Sequence, residues 1–326
     1  MTTSNKLKIL FFVGFVFATA VAFLAFGALT GLKNDGLAAS SSEFVSEQVP
    51  QKAQDITVSN PYDPAIKAGF VPHKALYDIA LVSKKSSAQV LNISGQMLYE
   101  WSSNCEAWQM THKFNLVYEY PDMPPVRTTS DFTLYERFDG STLDFHSIRQ
   151  GNGQVLEELR GSAQMHGENA AEKSLAEFRL PPDLRFDLAQ GTLFPMAHSL
   201  AVLENSRAGK RFFSAQIFDG SDVDGPVEIN AFLGRAVAQE AVMETVREGL
   251  AGKEMSRIDT TLLSSPAQSG RLAFFPLKTQ ESAADYEMAA IFHENGVISN
   301  IVIDYPDFSI SQKLVALERV DSVCNS

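Results

Sequence analysis

From Trp108 onward the chain alternates without a break. Even positions carry Trp108, Met110, His112, Phe114, Leu116, Tyr118 and Tyr120, while odd positions carry Gln109, Thr111, Lys113, Asn115, Val117 and Glu119. Successive strand residues point to opposite faces, so this stretch predicts one long strand with a bulky apolar face and a mostly polar one. Such a strand needs a packed interior on one side and water on the other. The same reading places strands over KALYDIALV from Lys74, near Ala88–Ile93, and within the hairpin region Gly95–Tyr120. Tyr120-Pro121-Asp122-Met123-Pro124-Pro125 breaks the run, because proline gives no ladder donor. Asp131–Phe138 then predicts a strand, Asp139-Gly140 a tight turn, Thr142–Gln150 the return, and Gly151-Asn152-Gly153 a turn into VLEELRGSAQM. Short strands joined by Asx-Gly turns spell an antiparallel meander.

The period changes at Gly191–Gly209. Pro195 suits a first helical turn, Met196, Leu200 and Val202-Leu203 recur at helical spacing, and Gly209 supplies a stop, which predicts a helix. A second helix is expected over Ala236–Leu250, as an insertion. Strands resume at Arg211–Phe218, Val227–Leu233, Arg271–Leu277 and Tyr286–His293, then Val297–Tyr305 after the Asn295-Gly296 turn. The tail Phe308–Val320 reads as strand or helix. Phe-Asp-Gly-Ser occurs at 138–141 and again at 218–221, and Tyr-Pro-Asp at 120–122 and 305–307. Both are turn chemistry, and convergent turn design is the reading preferred over an internal duplication.

The fold class expected is mainly β: a single large antiparallel curved sheet with one or two helices. A curved sheet encloses an apolar interior, either filled by side chains or hollow enough for a lipid-like ligand. The 23 phenylalanines suit both.

The first residues differ in kind. Lys6 and Lys8 precede an uncharged run from Ile9 to Leu32. A basic start with an apolar core is the export pattern, and the run is also long enough to span a bilayer. Residues 1–32 are therefore a cleaved signal peptide or a retained anchor, 33–70 a linker or wrapping arm, and 71–326 the folded domain. Either alternative places the domain outside the cytoplasm. The net charge of −12 excludes a nucleic-acid surface, which needs clustered cations. Membrane contact is then expected only through the N-terminal segment, if it is uncleaved.

Cys105 and Cys324 are the two cysteines of the chain. In an exported protein they are most simply a disulfide; two buried free thiols are the alternative. The six histidines show no metal spacing, and no Gly-x-Ser-x-Gly nucleophile elbow, phosphate loop or dinucleotide glycine pattern occurs. No catalytic residue, metal or cofactor is expected. A hydrolase using His198 or His73 with nearby acids is the alternative activity. His112, on the apolar face of the long strand, is expected as a core histidine. Asn92-Ile93-Ser94 matches a glycosylation sequon, relevant only in a eukaryotic secretory route.

Several strings in order resemble one family, the EipB-like cell-envelope integrity proteins. They are His73-Lys74-Ala75-Leu76-Tyr77-Asp78, Gly95-Gln96-Met97-Leu98-Tyr99 leading to Cys105 and Trp108, and Glu136 with Asp139-Gly140. Gly191-Thr192-Leu193-Phe194-Pro195 with His198 follows, then Phe218-Asp219-Gly220-Ser221, Tyr286-Glu287, Asn295-Gly296-Val297, Asp304-Tyr305 and Cys324. The resemblance implies a periplasmic, monomeric β-spiral, a broken barrel similar to lipoprotein-carrier folds. It also implies a disulfide between Cys105 and Cys324, and a role in envelope maintenance and stress resistance rather than known catalysis. A periplasmic or outer-membrane protein partner, or a lipid-like ligand, is then expected. Tyr135 stands where the family pattern has Trp, and the helical stretch Ala236–Lys253 is longer than usual.

Overall fold

In the computed structural model, residues 69–167, 171–277 and 283–321 are described. They form one antiparallel sheet of 14 strands. The first eight are β1 (His73–Lys84), β2 (Asn92–Ser103), β3 (Ala107–Glu119), β4 (Val126–Arg137), β5 (Thr142–Gly151), β6 (Gln154–Gln164), β7 (Leu175–Leu180) and β8 (Arg185–Asp187). Helix α1 (Pro195–Arg207) follows, then β9 (Phe212–Ile217) and β10 (Val227–Val237). Helix α2 (Gln239–Leu250), a 3-10 turn at Met255–Arg257 and the single-turn α3 (Thr260–Leu263) lead into β11 (Ala267–Pro276). The last strands are β12 (Tyr286–His293), β13 (Ile298–Asp304) and β14 (Phe308–Arg319).

The order across the sheet is β8-β7-β6-β5-β4-β3-β2-β1-β14-β13-β12-β11-β10-β9. Each half is a meander, and the two join where β1 pairs with β14. At that seam His73 stands opposite both Arg319 and Trp101. Strands β8 and β9 are the two sheet ends and do not pair with each other, so the sheet is not closed into a barrel. The periodicity of β3 translates directly: Trp108, Met110, His112, Phe114, Leu116 and Tyr118 are buried while Gln109, Lys113 and Asn115 are exposed. In β4, Val126, Thr128, Ser130, Phe132, Leu134 and Glu136 continue the inner face. A register shift between Leu76 and Tyr77 leaves Val315 of β14 as an extra residue; such bulges bend a strand and increase its twist.

The two long helices lie on opposite faces. Helix α1 is buried almost all round: Pro195–His198, Leu200–Leu203 and Asn205 are all buried. A helix buried on nearly every side belongs inside, and α1 fills the curve of the sheet. Helix α2 has a single apolar stripe, Val242, Val246 and Leu250. It rests on the outer face of β13 and β14, with Gly249 against Lys313 and Lys253 paired to Asp78 of β1. It ends on Ala251 in the left-handed region (φ 48°), followed by Gly252 (φ 91°).

At four points the structure changes or completes these expectations. The strand expected near Ala88–Ile93 starts only at Asn92; Ala88 is turned by its N–H donating to Lys85 O. The tail is a strand, because its inward residues Ile310 and Leu314 complete the face begun by β1. Strands β7 and β8 lie where no pattern was read, and the described residues hold a third, four-residue helix. The segments 1–32, 33–68 and Cys324 lie outside the described residues. No described helix is long and apolar enough to cross a membrane.

Candidate functional site

The interior of the spiral is the natural place for a ligand, and α1 occupies it. Its position is set by one carboxylate. Glu136, the last inward residue of β4, is fully buried and accepts hydrogen bonds from the backbone N–H of Met196 (2.7 Å, Oε2) and Ala197 (2.8 Å, Oε1). Phe194, at the helix N-cap, offers no side-chain cap, and Pro195 has no N–H. Glu136 therefore serves the first-turn donors from another strand, where a Ser or Asp at the N-cap would normally do so. Burial pushes its carboxyl up to about 8, against the two N–H bonds that favour the charged form. Once β4 alternation is established, an acid in step with Phe132 and Leu134 stands out as a charge on an apolar face, the signal that marks this residue.

The open side of the spiral is closed by the loop after β9. Phe218 packs on Phe145 of β5 and Phe178 of β7, with ring centroids 5.7 and 6.3 Å away, and reaches Phe186 of β8. A Cβ on Gly220 would stand 2.3 Å from the Phe145 ring, so the backbone lies flat on that ring. Asp219 is buried; its Oδ1 accepts from Ser221 N (2.9 Å) and Ser221 Oγ (2.7 Å). Burial raises Asp219 to about 7, and Asp222 beside it also to about 7.

Near the β2–β3 turn the core becomes aromatic. Trp101 packs edge-on to Trp108 (5.5 Å) and His73 (5.7 Å), with Phe70 at 5.2 Å and tilted, and Phe138 lies 4.7 Å from Trp108. His73 Nδ1 lies 3.1 Å from Trp101 Nε1, which donates, and 2.9 Å from Val71 O. Asn104 Oδ1 accepts from the N–H of Glu106 and Ala107 (both 2.8 Å) and so holds the exposed turn at Cys105. No free cysteine occurs among the described residues.

The histidines do not assemble a catalytic set. His198 is buried against Phe213 (6.0 Å, stacked), and burial lowers it to about 4. Its neighbour Ser199 donates its Oγ hydrogen to Pro195 O (2.8 Å). His73 is held down to about 4 and His112 to about 3, burial being the main cause for each. His293 sits between Ser265 O (3.1 Å from Nδ1) and Ser299 Oγ (3.0 Å from Nε2). Among the described residues no three His, Cys, Asp or Glu side chains converge as metal ligands. Between α1 and the inner face, Phe70, Tyr99, Val202, Leu203 and Phe292 line a cavity of about 20 Å³, room for a single water rather than an acyl chain.

Comparison with known proteins gives a consistent answer. The EipB-like family model matches residues 64–321. The chain is 26% identical over 256 residues to the cell envelope integrity protein EipB of Brucella abortus, covering 78% of this chain and 85% of that one. Among solved structures it is similar to a beta-barrel-like protein of a domain of unknown function from Brucella abortus. The TM-score is 0.67 at 25% identity, covering 77% of this chain and 99% of the other.

Proposed function

The chain belongs to the EipB-like family, and from that premise we propose that it is a periplasmic protein that maintains cell-envelope integrity without catalysing a reaction. The observation that carries this reading is α1: the helix fills the curve of the sheet, and the cavity beside it has room for about one water. A lipid carrier needs an empty interior, so the filled spiral favours work through its outer surface, on a protein partner. The hydrolase alternative gains nothing from the geometry, because the Ser199 hydroxyl is bonded within its own helix and His198 faces Phe213.

A disulfide between Cys105 and Cys324 belongs to the same reading. Strand β14 ends beside the start of β1, where Val320 N donates to Pro72 O (3.0 Å), and β1 pairs there with Trp101 near the end of β2. Two strand spacings, about 10 Å, separate the end of β14 from β2, a span that the residues between Arg319 and Cys324 can cross. Closing so long a loop stabilises by on the order of 5 kcal/mol at most.

Deletion of the gene followed by exposure to detergent tests the proposal. Wild-type protein and folded His198→Leu and His73→Leu variants should each restore resistance. Loss of resistance with either folded variant would revive the hydrolase, and an unaffected deletion strain would sink the envelope role. Recovered protein should resist alkylation until reduced, and reduction should lower its thermal midpoint.

A further inference from the structure

The sheet end at β9 carries three features that the filled interior leaves unused. The first is backbone. Arg211 O accepts from Leu233 N (3.0 Å), and Phe213, Ala215 and Ile217 stand opposite Ala231, Ile229 and Val227. Odd residues thus face β10, and even residues direct their N–H and C=O groups away from it. Leu193 takes the far end of that row: its N–H donates to Gln216 O (2.9 Å) and its C=O accepts from Phe218 N (3.1 Å). Upstream, the N–H and C=O groups of Phe212 and Ser214 meet no backbone partner among the described residues.

The second feature is apolar. Phe212 and Phe232 are 48% and 51% exposed, neighbours across β9 and β10 with ring centroids 5.2 Å apart. The third is charge. Lys210, Arg211 and Arg235 are exposed, and none has a carboxylate within ion-pair distance among the described residues, in a chain of net charge −12.

We propose that this edge accepts an extended, acidic segment of a partner protein as a further β-strand. Its backbone would pair with Phe212 and Ser214, its apolar side chains would cover Phe212 and Phe232, and its carboxylates would meet Lys210, Arg211 and Arg235. An open edge templates pairing with another chain, and the cations select the sign of that chain. A second copy fits poorly, because Lys210–Phe218 contains no carboxylate. An anionic membrane would satisfy the rings and cations but leave the edge N–H and C=O groups unpaired. The inference rests on the reading above that the protein works through its outer surface.

Ser214→Pro separates these cases. The Ser214 N–H points away from β10, so proline there removes a donor that an incoming strand needs while keeping the β10 ladder, as edge positions allow. A Phe212→Ser/Phe232→Ser pair gives a second variant with the backbone intact. Full-length protein bearing a photo-crosslinking side chain at Gln216 is irradiated in cells, and linked peptides are sequenced by mass spectrometry. The expected product is an acidic segment of another protein, with yield falling about tenfold or more in each variant at unchanged thermal midpoint. Links to a second copy, or to lipid only, or none at all, or a yield untouched by both folded variants, would overturn the proposal. So would binding to phosphatidylglycerol vesicles that survives Ser214→Pro and accounts for the whole linked yield. A Ser214→Pro protein that restores envelope integrity as well as wild type removes the edge from the function yet leaves the family-level reading standing; wild-type protein that fails to restore it defeats that reading instead.

Discussion

Phe138–Ser141 and Phe218–Ser221 have the same four residues and build the same turn in unlike surroundings. In each, the Asp Oδ1 accepts from the N–H and the hydroxyl of the Ser two residues on, at 3.0 and 2.6 Å in the first and 2.9 and 2.7 Å in the second. In each, the Gly is left-handed, with φ 65° and 73°. Asp139 is exposed, and its bonds to Ser141 and the nearby Arg137 hold it below the usual carboxylate range. Asp219 lies inside, under β5, β7 and β8, and burial lifts it to about 7 despite the same hydroxyl and N–H. The four letters determine the turn. The packing determines what the carboxylate does.

The contrast breaks most sharply at Gly220. Gly220→Ala adds left-handed strain, ~1–2 kcal/mol, to overpacking of ~1–3 kcal/mol against Phe145. Urea denaturation should show a loss of about 3 kcal/mol, or no folded protein.

A second effect, smaller per pH unit, is a pH slope of opposite sign at the two turns. Asp219 has its folded pKa raised, so its contribution is most favourable below the unfolded value and is lost as pH rises toward about 7. Asp222 acts in the same direction, and Glu136 extends the trend to about 8. Each such group contributes at most about 1.4 kcal/mol per pH unit within its window. Stability from this region should therefore fall between pH 4 and pH 8, and Asp219→Asn should flatten the slope while keeping the acceptor for Ser221. An unchanged slope in denaturation midpoints would show that Asp219 is not the titrating group.

The least effect belongs to Asp139. Its lowered pKa contributes stability that is present above the unfolded value and lost as pH falls through the folded one. The group is exposed, so Asp139→Asn should change stability by about 0.5 kcal/mol or less at neutral pH. A change as large as that from Gly220→Ala would mean the outer turn is as deeply engaged as the inner one.

Much of the fold was legible in the residues, because alternation carries its own geometry. β3, β5, β12 and the turns at Gly140, Gly153 and Gly296 fall where period and Asx-Gly chemistry put them. What escaped was tertiary. Nothing local marks α1 as an interior helix except its lack of a polar side, and that reads equally as a poor helix. Strands β7 and β8 are six and three residues long and too short to show a period. Their place is set by β6 and by the aromatic cluster around Phe178. The role of Glu136 depends on a helix sixty residues away in sequence. Among the histidines, His112 was legible as a core residue from its strand, whereas the contact of His198 with Phe213 depends on the tertiary fold.

The junction of β1 with β14 has a consequence of its own. Written from one border of the sheet to the other, the strands run β9 to β14 and then β1 to β8, each beside its sequence neighbour except at that one junction. Nature has cut a plain serpentine in the middle and tied its outer ends together through α1. A chain reordered to start near Arg211 and finish near Gly209, so that α1 is kept after β8, with Val320 joined to Pro72, would turn its most distant pairing into a hairpin. It should reach the same architecture faster, since local pairings form with less loop-closure entropy.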